Sequence, residues 1–120
     1  MRISVAIAGG LFVGLLAAAP AAFADDKARD NIVRAEAQIK ALNAADAGAA
    51  SANEYQTAQT RLNEARTAED KNRDEESFWR SEEALLQANI VQEKIKLRGL
   101  ERTVSEIETG IATLRRELNS

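Results

Sequence analysis

The chain has 120 residues, with 16 Lys and Arg, 19 Asp and Glu, and neither His nor Cys. Its formal net charge of −3, without clusters of Lys and Arg, gives no reason to expect a nucleic-acid partner. The missing residue types are the commonest general base, the commonest thiol nucleophile and most zinc ligands. The sequence therefore predicts a protein that is not an enzyme and holds no cofactor or metal.

The first 24 residues have the pattern of a cleavable secretory signal peptide. Arg2 supplies a positive start, residues 3–19 carry no charge, and Pro20 ends the apolar run. The predicted cleavage site comprises Ala22, Ala24 and Asp25. A transmembrane anchor needs about 20 apolar residues, whereas this run contains three glycines and a serine. We therefore expect cleavage after Ala24 and a periplasmic chain without a transmembrane segment or, since no Cys follows the break, a lipid anchor.

The remainder is predicted to be all-α. Ala, Glu, Arg, Gln and Leu dominate, no Pro follows residue 20, and no segment alternates apolar with polar residues. We predict an Ala-rich three-helix hairpin or bundle over residues 25–98, with helices at about 25–45, 51–70 and 72–98, and a coiled-coil extension of the third helix over 99–118. The first helix has an apolar stripe at alternating four- and three-residue steps: Ala28, Ile32, Ala35, Ile39 and Leu42. A short link follows, and Ser51 with Glu54 fits a capping box at the start of the second helix.

The third helix carries apolar residues at heptad spacing from Leu86 to Leu118, interrupted once by Glu93, and Trp79 lies one heptad before Leu86. We call them the heptad stripe: position a holds Ile90, Leu97, Val104, Ile111 and Leu118, and position d holds Trp79, Leu86, Leu100, Ile107 and Leu114. A strict seven-residue repeat is typical of a coiled coil, and β-branched residues at a with Leu at d favour two parallel strands. Lys96 and Glu101 would attract each other across such a dimer.

The two halves of the heptad stripe lead to different expectations. Over residues 79–97 we expect the stripe to pack on the first two helices, with Trp79, Phe78 and Tyr55 capping the core. At about 1.5 Å per residue the third helix is roughly twice as long as either of the others, so they cannot reach residues 100–118. The stripe would then need a partner, either a second copy or another helical envelope protein. The predicted C-terminal seam is Leu97, Leu100, Val104, Ile107, Ile111, Leu114 and Leu118.

A row of basic residues on the third helix has two interpretations. Lys94, Arg98 and Arg102 could contact a polyanion or anionic lipid head groups, as in a peripheral membrane-binding protein that uses the same stripe against lipid. They could equally form a solvated face balanced by Glu93 and Glu101, which is favoured because charge runs usually face water. Residues 100–118 also contain no aromatic residue, unlike a typical interfacial helix.

The middle of the chain resembles a bacterial envelope family catalogued as domain of unknown function 4398. The residues that carry the resemblance are Ala47-Gly48-Ala49, Glu54-Tyr55, Ala58, Leu62 and Glu64-Ala65. Members are Ala-rich helical exported proteins, often lipoproteins, and some precede an OmpA-like module. This chain departs from them in lacking the lipoprotein Cys and the OmpA-like module, and in its Leu and Ile heptads. The resemblance implies an envelope setting and no reaction, since the family pattern holds no catalytic residues. From the C-terminal seam we expect a structural or adaptor role.

Overall fold

The computed structural model describes residues 26–120, which form three helices and no strand. Helix α1 occupies residues 26–41, α2 is Ala44–Asp70, and α3 is Asp74–Asn119. Ion pairs between the helices show that α2 runs antiparallel to both neighbours, so the all-α bundle with a long C-terminal helix is confirmed. The predicted signal peptide and its cleavage residues Ala22, Ala24 and Asp25 lie outside the described residues.

Helix α1 buries the face that its apolar spacing predicts. Ala28, Ile32, Ala35, Ile39 and Leu42 are all at most 7% exposed. The helix ends at residue 41 instead of the predicted 45, and α2 begins much earlier than the predicted residue 51. The reason is an N-cap that the prediction missed, since the Asn43 side chain accepts a hydrogen bond from the backbone N–H of Asp46 at 3.0 Å.

The predicted capping box marks a kink within α2. Ser51 leaves helical geometry, with φ −162° and ψ 57°, and its hydroxyl donates to the Glu54 carboxylate at 2.7 Å. The residues before it, predicted as a link, are helical as well. Ser51 therefore marks a kink in a helix that continues on both sides of it, and its hydroxyl binds the Glu54 side chain instead of a backbone N–H.

The turn between α2 and α3 is a Schellman motif. Asn72 has the left-handed φ of 57°, the Arg73 N–H donates to the Ala68 carbonyl at 2.8 Å, and the Asn72 N–H donates to the Glu69 carbonyl at 2.9 Å. These bonds use carbonyls that the end of α2 leaves free. Asp74 and the two glutamates after it then occupy the first turn of α3, where the helix dipole favours acids.

The core is built mainly from small residues on α2 and α3. Helix α2 contributes Ala47, Ser51, Ala58, Leu62, Ala65 and Ala68, and α3 contributes Ser77, Ser81, Ala84, Ala88 and Val91. Such side chains allow two helix axes to approach closely, although each buries little area. The larger apolar side chains come chiefly from α1, which packs into the same cluster.

Polar contacts between helices set their register. The amide of Asn31 on α1 donates to Glu82 on α3 at 2.8 Å. Arg66 on α2 pairs with Glu36 on α1 at 3.0 Å. Further ion pairs between helices are Arg29–Glu69, Arg61–Glu83 and Arg80–Glu64. Exposed pairs of this kind contribute about 0–1 kcal/mol each, so packing supplies most of the stability.

Candidate interaction surface

Nine of the ten side chains of the heptad stripe are exposed, and the tenth, Ile90, is half-buried. Trp79 is 58% exposed, Leu86 58% and Leu97 55%, and the residues beyond them are 45% to 85% exposed. The expectation that residues 79–97 of the stripe pack on α1 and α2 is therefore wrong for Trp79, Leu86 and Leu97, and only Ile90 is half-buried. The C-terminal seam is exposed throughout: Leu97, Leu100, Val104, Ile107, Ile111, Leu114 and Leu118.

A different face of α3 contacts the bundle. We call it the bundle face, and its residues are Ser77, Ser81, Ala84, Ala88, Val91 and Ile95. Leu85, beside this face, also packs against the core cluster. It repeats with the same four- and three-residue steps as the heptad stripe. At 3.6 residues per turn the two faces lie roughly 170° apart over residues 77–97, on nearly opposite sides of the helix. A partner lying along the stripe would therefore not collide with α1 or α2.

The small residues of α2 explain which face of α3 packs. Ala58 and Ala65 leave room only for a closely approaching helix, and Ala84 and Ala88 on α3 satisfy that requirement. Bulkier Leu side chains in their place would hold the axes apart and leave the Ala surface poorly covered. The alanine content of α2 thus favours a packing in which the leucines of the heptad stripe face outward.

The three aromatic residues predicted to cap the core lie in different surroundings. Tyr55 is half-buried and packs against the core cluster. Phe78 is also half-buried, whereas Trp79 is mostly exposed and meets the Phe78 ring edge to face, with centroids 5.2 Å apart. The prediction that Trp79 lies in the core is wrong, and the residue instead begins the exposed heptad stripe.

The end of α3 projects beyond the other helices. Arg98 donates to the Ala49 carbonyl at 2.6 Å, which places it beside the first turns of α2. Beyond Arg98, almost every residue of α3 is exposed on all sides of the helix. At about 1.5 Å per residue, the part from 103 to 119 extends roughly 25 Å past the start of α2.

Two of the three basic residues proposed for polyanion contact bind α2. The Lys94 ammonium lies 2.6 Å from the Glu54 carboxylate, and Arg98 binds Ala49 as described. The hydrogen bond from Lys94, followed by that from Ser51, lowers the pKa of Glu54 from 4.5 to about 2. Lys94 is thus balanced by Glu54, while Glu93 lies 3.3 Å from Lys96. Arg102 is exposed near the same edge.

The described part of the chain offers little for chemistry. Among residues 26–120, no three His, Cys, Asp or Glu side chains are grouped so that they could hold a metal ion. No helix over this range is both long and apolar enough to span a bilayer. The surface depressions here are open to solvent, and one of them lies along the stripe between Ile90 and Leu97.

Comparison with known proteins does not assign this chain to a family. No family model matches the chain, and no curated protein or solved structure matches it either. The exposed heptad stripe is therefore the feature on which a function can be argued.

Proposed function

We propose that this chain is a non-enzymatic structural or adaptor protein of the cell envelope. It acts through coiled-coil association of α3 along the heptad stripe, and its partner is a second copy of the chain. The observation that carries the proposal is the exposure of nine of the ten stripe side chains, on the side of α3 turned away from the bundle. Exposed apolar side chains in water favour association.

The size of the stripe supports a stable partner. Its side chains expose roughly 100 Å² each, so the stripe amounts to on the order of 1,000 Å². The largest apolar patch on an ordinary monomer is about 300–600 Å². If two copies covered each other's stripes, the interface would bury about 2,000 Å², which reaches the range of permanent homodimers.

The charges beside the stripe favour a helical partner over a lipid surface. A membrane-binding helix uses Lys and Arg on its polar face to attract anionic lipids. Here Lys94 and Arg98 are bound to Glu54 and Ala49 on α2. Leaving those contacts for lipid would weaken the attachment of α3 to α2, whereas a partner helix on the stripe leaves them intact.

The envelope location is supported by the pattern of residues 1–24. Expression in a bacterial host with osmotic release of the periplasm tests this part of the proposal. The released chain should begin at Asp25 by mass spectrometry. Ala24→Leu should leave an uncleaved, membrane-retained precursor, because signal peptidase requires a small residue before the cut. A wild-type chain that stays in the cytoplasm at full mass would contradict the proposed location.

The association itself is tested by placing charges on the stripe. Ile107→Asp/Leu114→Asp should convert the dimer to a monomer in sedimentation velocity and retain most of the helicity by circular dichroism. The matched control is Ser105→Asp/Thr109→Asp, which adds the same charges on the outer positions of the same turns and should remain dimeric. A wild-type chain that is monomeric at tens of micromolar would refute self-association. Helicity that rises only with anionic vesicles would indicate membrane binding instead.

A further inference from the structure

We infer that the two copies associate as a parallel, in-register pair, joined along the heptad stripe from Trp79 to Leu118. This inference rests on the proposed function and adds the orientation of the partner. The bundle face lies opposite the stripe on each α3, so both bundles can occupy the same end of the dimer on its outer sides. Neither α1 nor α2 then obstructs the partner helix.

The structure shows which charged residues beside the stripe remain available to a partner. In the first half of α3, residues on both flanks are bound within the chain. Arg80 and Lys94 on one flank contact Glu64 and Glu54 of α2, and Glu82 on the other contacts α1. The flanking charges outside the bundle are Lys96, Glu101, Glu108, Arg115 and Glu117.

A parallel arrangement uses these available charges favourably. In a parallel coiled coil, each g residue faces the e residue of the next heptad on the partner. Lys96 then faces Glu101 of the second copy, and symmetry forms the pair twice. Lys96 is 60% exposed, and within residues 26–120 its one ion pair is with Glu93 on its own helix turn, at 3.3 Å, so it can turn to the partner. The other facing g and e residues, from Glu82 to Arg115, combine a charged with an uncharged side chain, so none of these pairs repel. The like-charged contacts of the parallel pair lie within the seam, at Glu93 and at Glu83, and Glu83 is paired with Arg61 of its own chain at 2.8 Å.

An antiparallel arrangement with the same overlap is disfavoured by its charges. When two antiparallel stripes overlap over their full length, Leu97 of one copy lies opposite Leu100 of the other. Arg80 then faces Arg115 of the second copy, and Glu82 faces Glu117, so each flank brings like charges together. The one attractive pair would join Glu101 to Lys94, which is already bound to Glu54 at 2.6 Å.

In the parallel pair, the Glu93 side chains of the two copies face each other. It occupies position d and is 73% exposed, so an in-register dimer sets the two Glu93 carboxylates in the same layer. A mixture of the wild-type chain with Glu93→Lys should therefore form the mixed dimer in preference to either homodimer, by about two- to fivefold for one attractive pair in place of a repulsive one. An antiparallel pair sets Glu93 against Val104 and would show no such preference.

Disulfide cross-linking tests the orientation directly, because the chain contains no cysteine. Leu114→Cys should form a covalent dimer in a glutathione redox buffer, since facing thiols in a parallel pair lie within disulfide reach. The control Thr109→Cys lies on the outer side of the same helix, and its cross-linked fraction should be roughly tenfold lower or less. In the antiparallel pair the two Leu114 positions would be roughly 45 Å apart.

The outcomes separate this inference from the proposed function. A dimer in which Leu114→Cys fails to cross-link, while a mixture of Leu86→Cys and Ile111→Cys does, would overturn the parallel orientation and leave self-association standing. A chain that sediments as a monomer would overturn both. Cross-linking of Leu114→Cys together with preferential mixing by Glu93→Lys would establish the parallel, in-register pair.

Discussion

Leu86 and Ala88 are two residues apart on α3 and face opposite ways: Leu86 is 58% exposed, whereas Ala88 is completely buried. At this point of the helix the larger apolar side chain is exposed and the smaller one is buried. The first prediction is that Ala88→Leu lowers the free energy of unfolding by about 1–3 kcal/mol through overpacking. Leu86→Ala should change it by less than about 0.5 kcal/mol.

Urea unfolding measures the change in the free energy of unfolding for both variants. The protein concentration should be low enough to keep the chain monomeric. Ala112→Leu is the matched control, because it makes the same substitution on the exposed end of α3. If Leu86→Ala destabilised the monomer as strongly as Ala88→Leu, the assignment of the two faces of α3 would be incorrect.

The second prediction concerns the turn between α2 and α3. Asn72 has a φ of 57°, a conformation that a β-branched residue adopts only with strain. Asn72→Val should destabilise the fold by about 1–2 kcal/mol, and Asn72→Gly should be neutral or stabilising by a few tenths of a kcal/mol. Thermal unfolding of the three proteins in parallel provides the measurement. Equal midpoints for the Val and Gly variants would contradict the left-handed turn.

The third prediction is a pH dependence centred on Glu54. Its pKa is lowered from 4.5 to about 2 by Lys94 and then Ser51, so the folded state binds the proton less readily than the unfolded chain. Glu54 therefore contributes stability above pH 4.5, and the contribution is lost as the pH falls from 4.5 towards 2. Because the contact is largely solvated, the effect should be modest.

Melting temperatures measured across this pH range test the role of Glu54. Glu54→Gln should lower the melting temperature at neutral pH and flatten its decline in acid. Glu106→Gln, which alters an exposed carboxylate on the projecting part of α3, serves as the control and should keep the wild-type pH profile. An unchanged profile for Glu54→Gln would show that the Lys94 contact does not stabilise the fold.

The fourth prediction uses Trp79, the single tryptophan of the chain, as a reporter. Because its side chain is mostly exposed at the start of the heptad stripe, the dilute monomer should emit at the long wavelength of a solvated indole. Raising the concentration should shift the emission to shorter wavelength and reduce acrylamide quenching as the partner covers the ring. The Ile107→Asp/Leu114→Asp variant should show neither change. Short-wavelength emission from that variant would mean that Trp79 is buried within its own bundle.

Local rules account for the elements that could be predicted. The spacing of Ile32, Ile39 and Leu42 determines the buried face of α1, because an amphipathic helix turns its apolar stripe to the core. The lack of Pro and of alternating segments excluded strands. The break near Asn72 and the acids after it marked the start of the long helix. Its length, compared with that of α2, also showed that α3 must project beyond the bundle.

The extent of α2 is harder to predict from local sequence. Asn, Asp and Gly in residues 43–50 are typical of a loop, and yet the segment is helical. Asn43 caps it, and Ala47 is completely buried in the core. Five of residues 44–50 are alanines, which favour a helix, and together with the Asn43 cap and the burial of Ala47 they outweigh the single Asp and Gly of the segment.

The sequence by itself determined that α3 has a heptad stripe and that its last twenty residues extend beyond the reach of α1 and α2. Only the tertiary structure decided which side of α3 packs against them. Hydrophobicity favoured the leucines, but Ala58 and Ala65 on α2 require a close neighbour, and only the small residues of α3 permit that approach. Packing depends on the shapes of both surfaces, so the sequence of α3 alone does not determine which of its faces packs against α2.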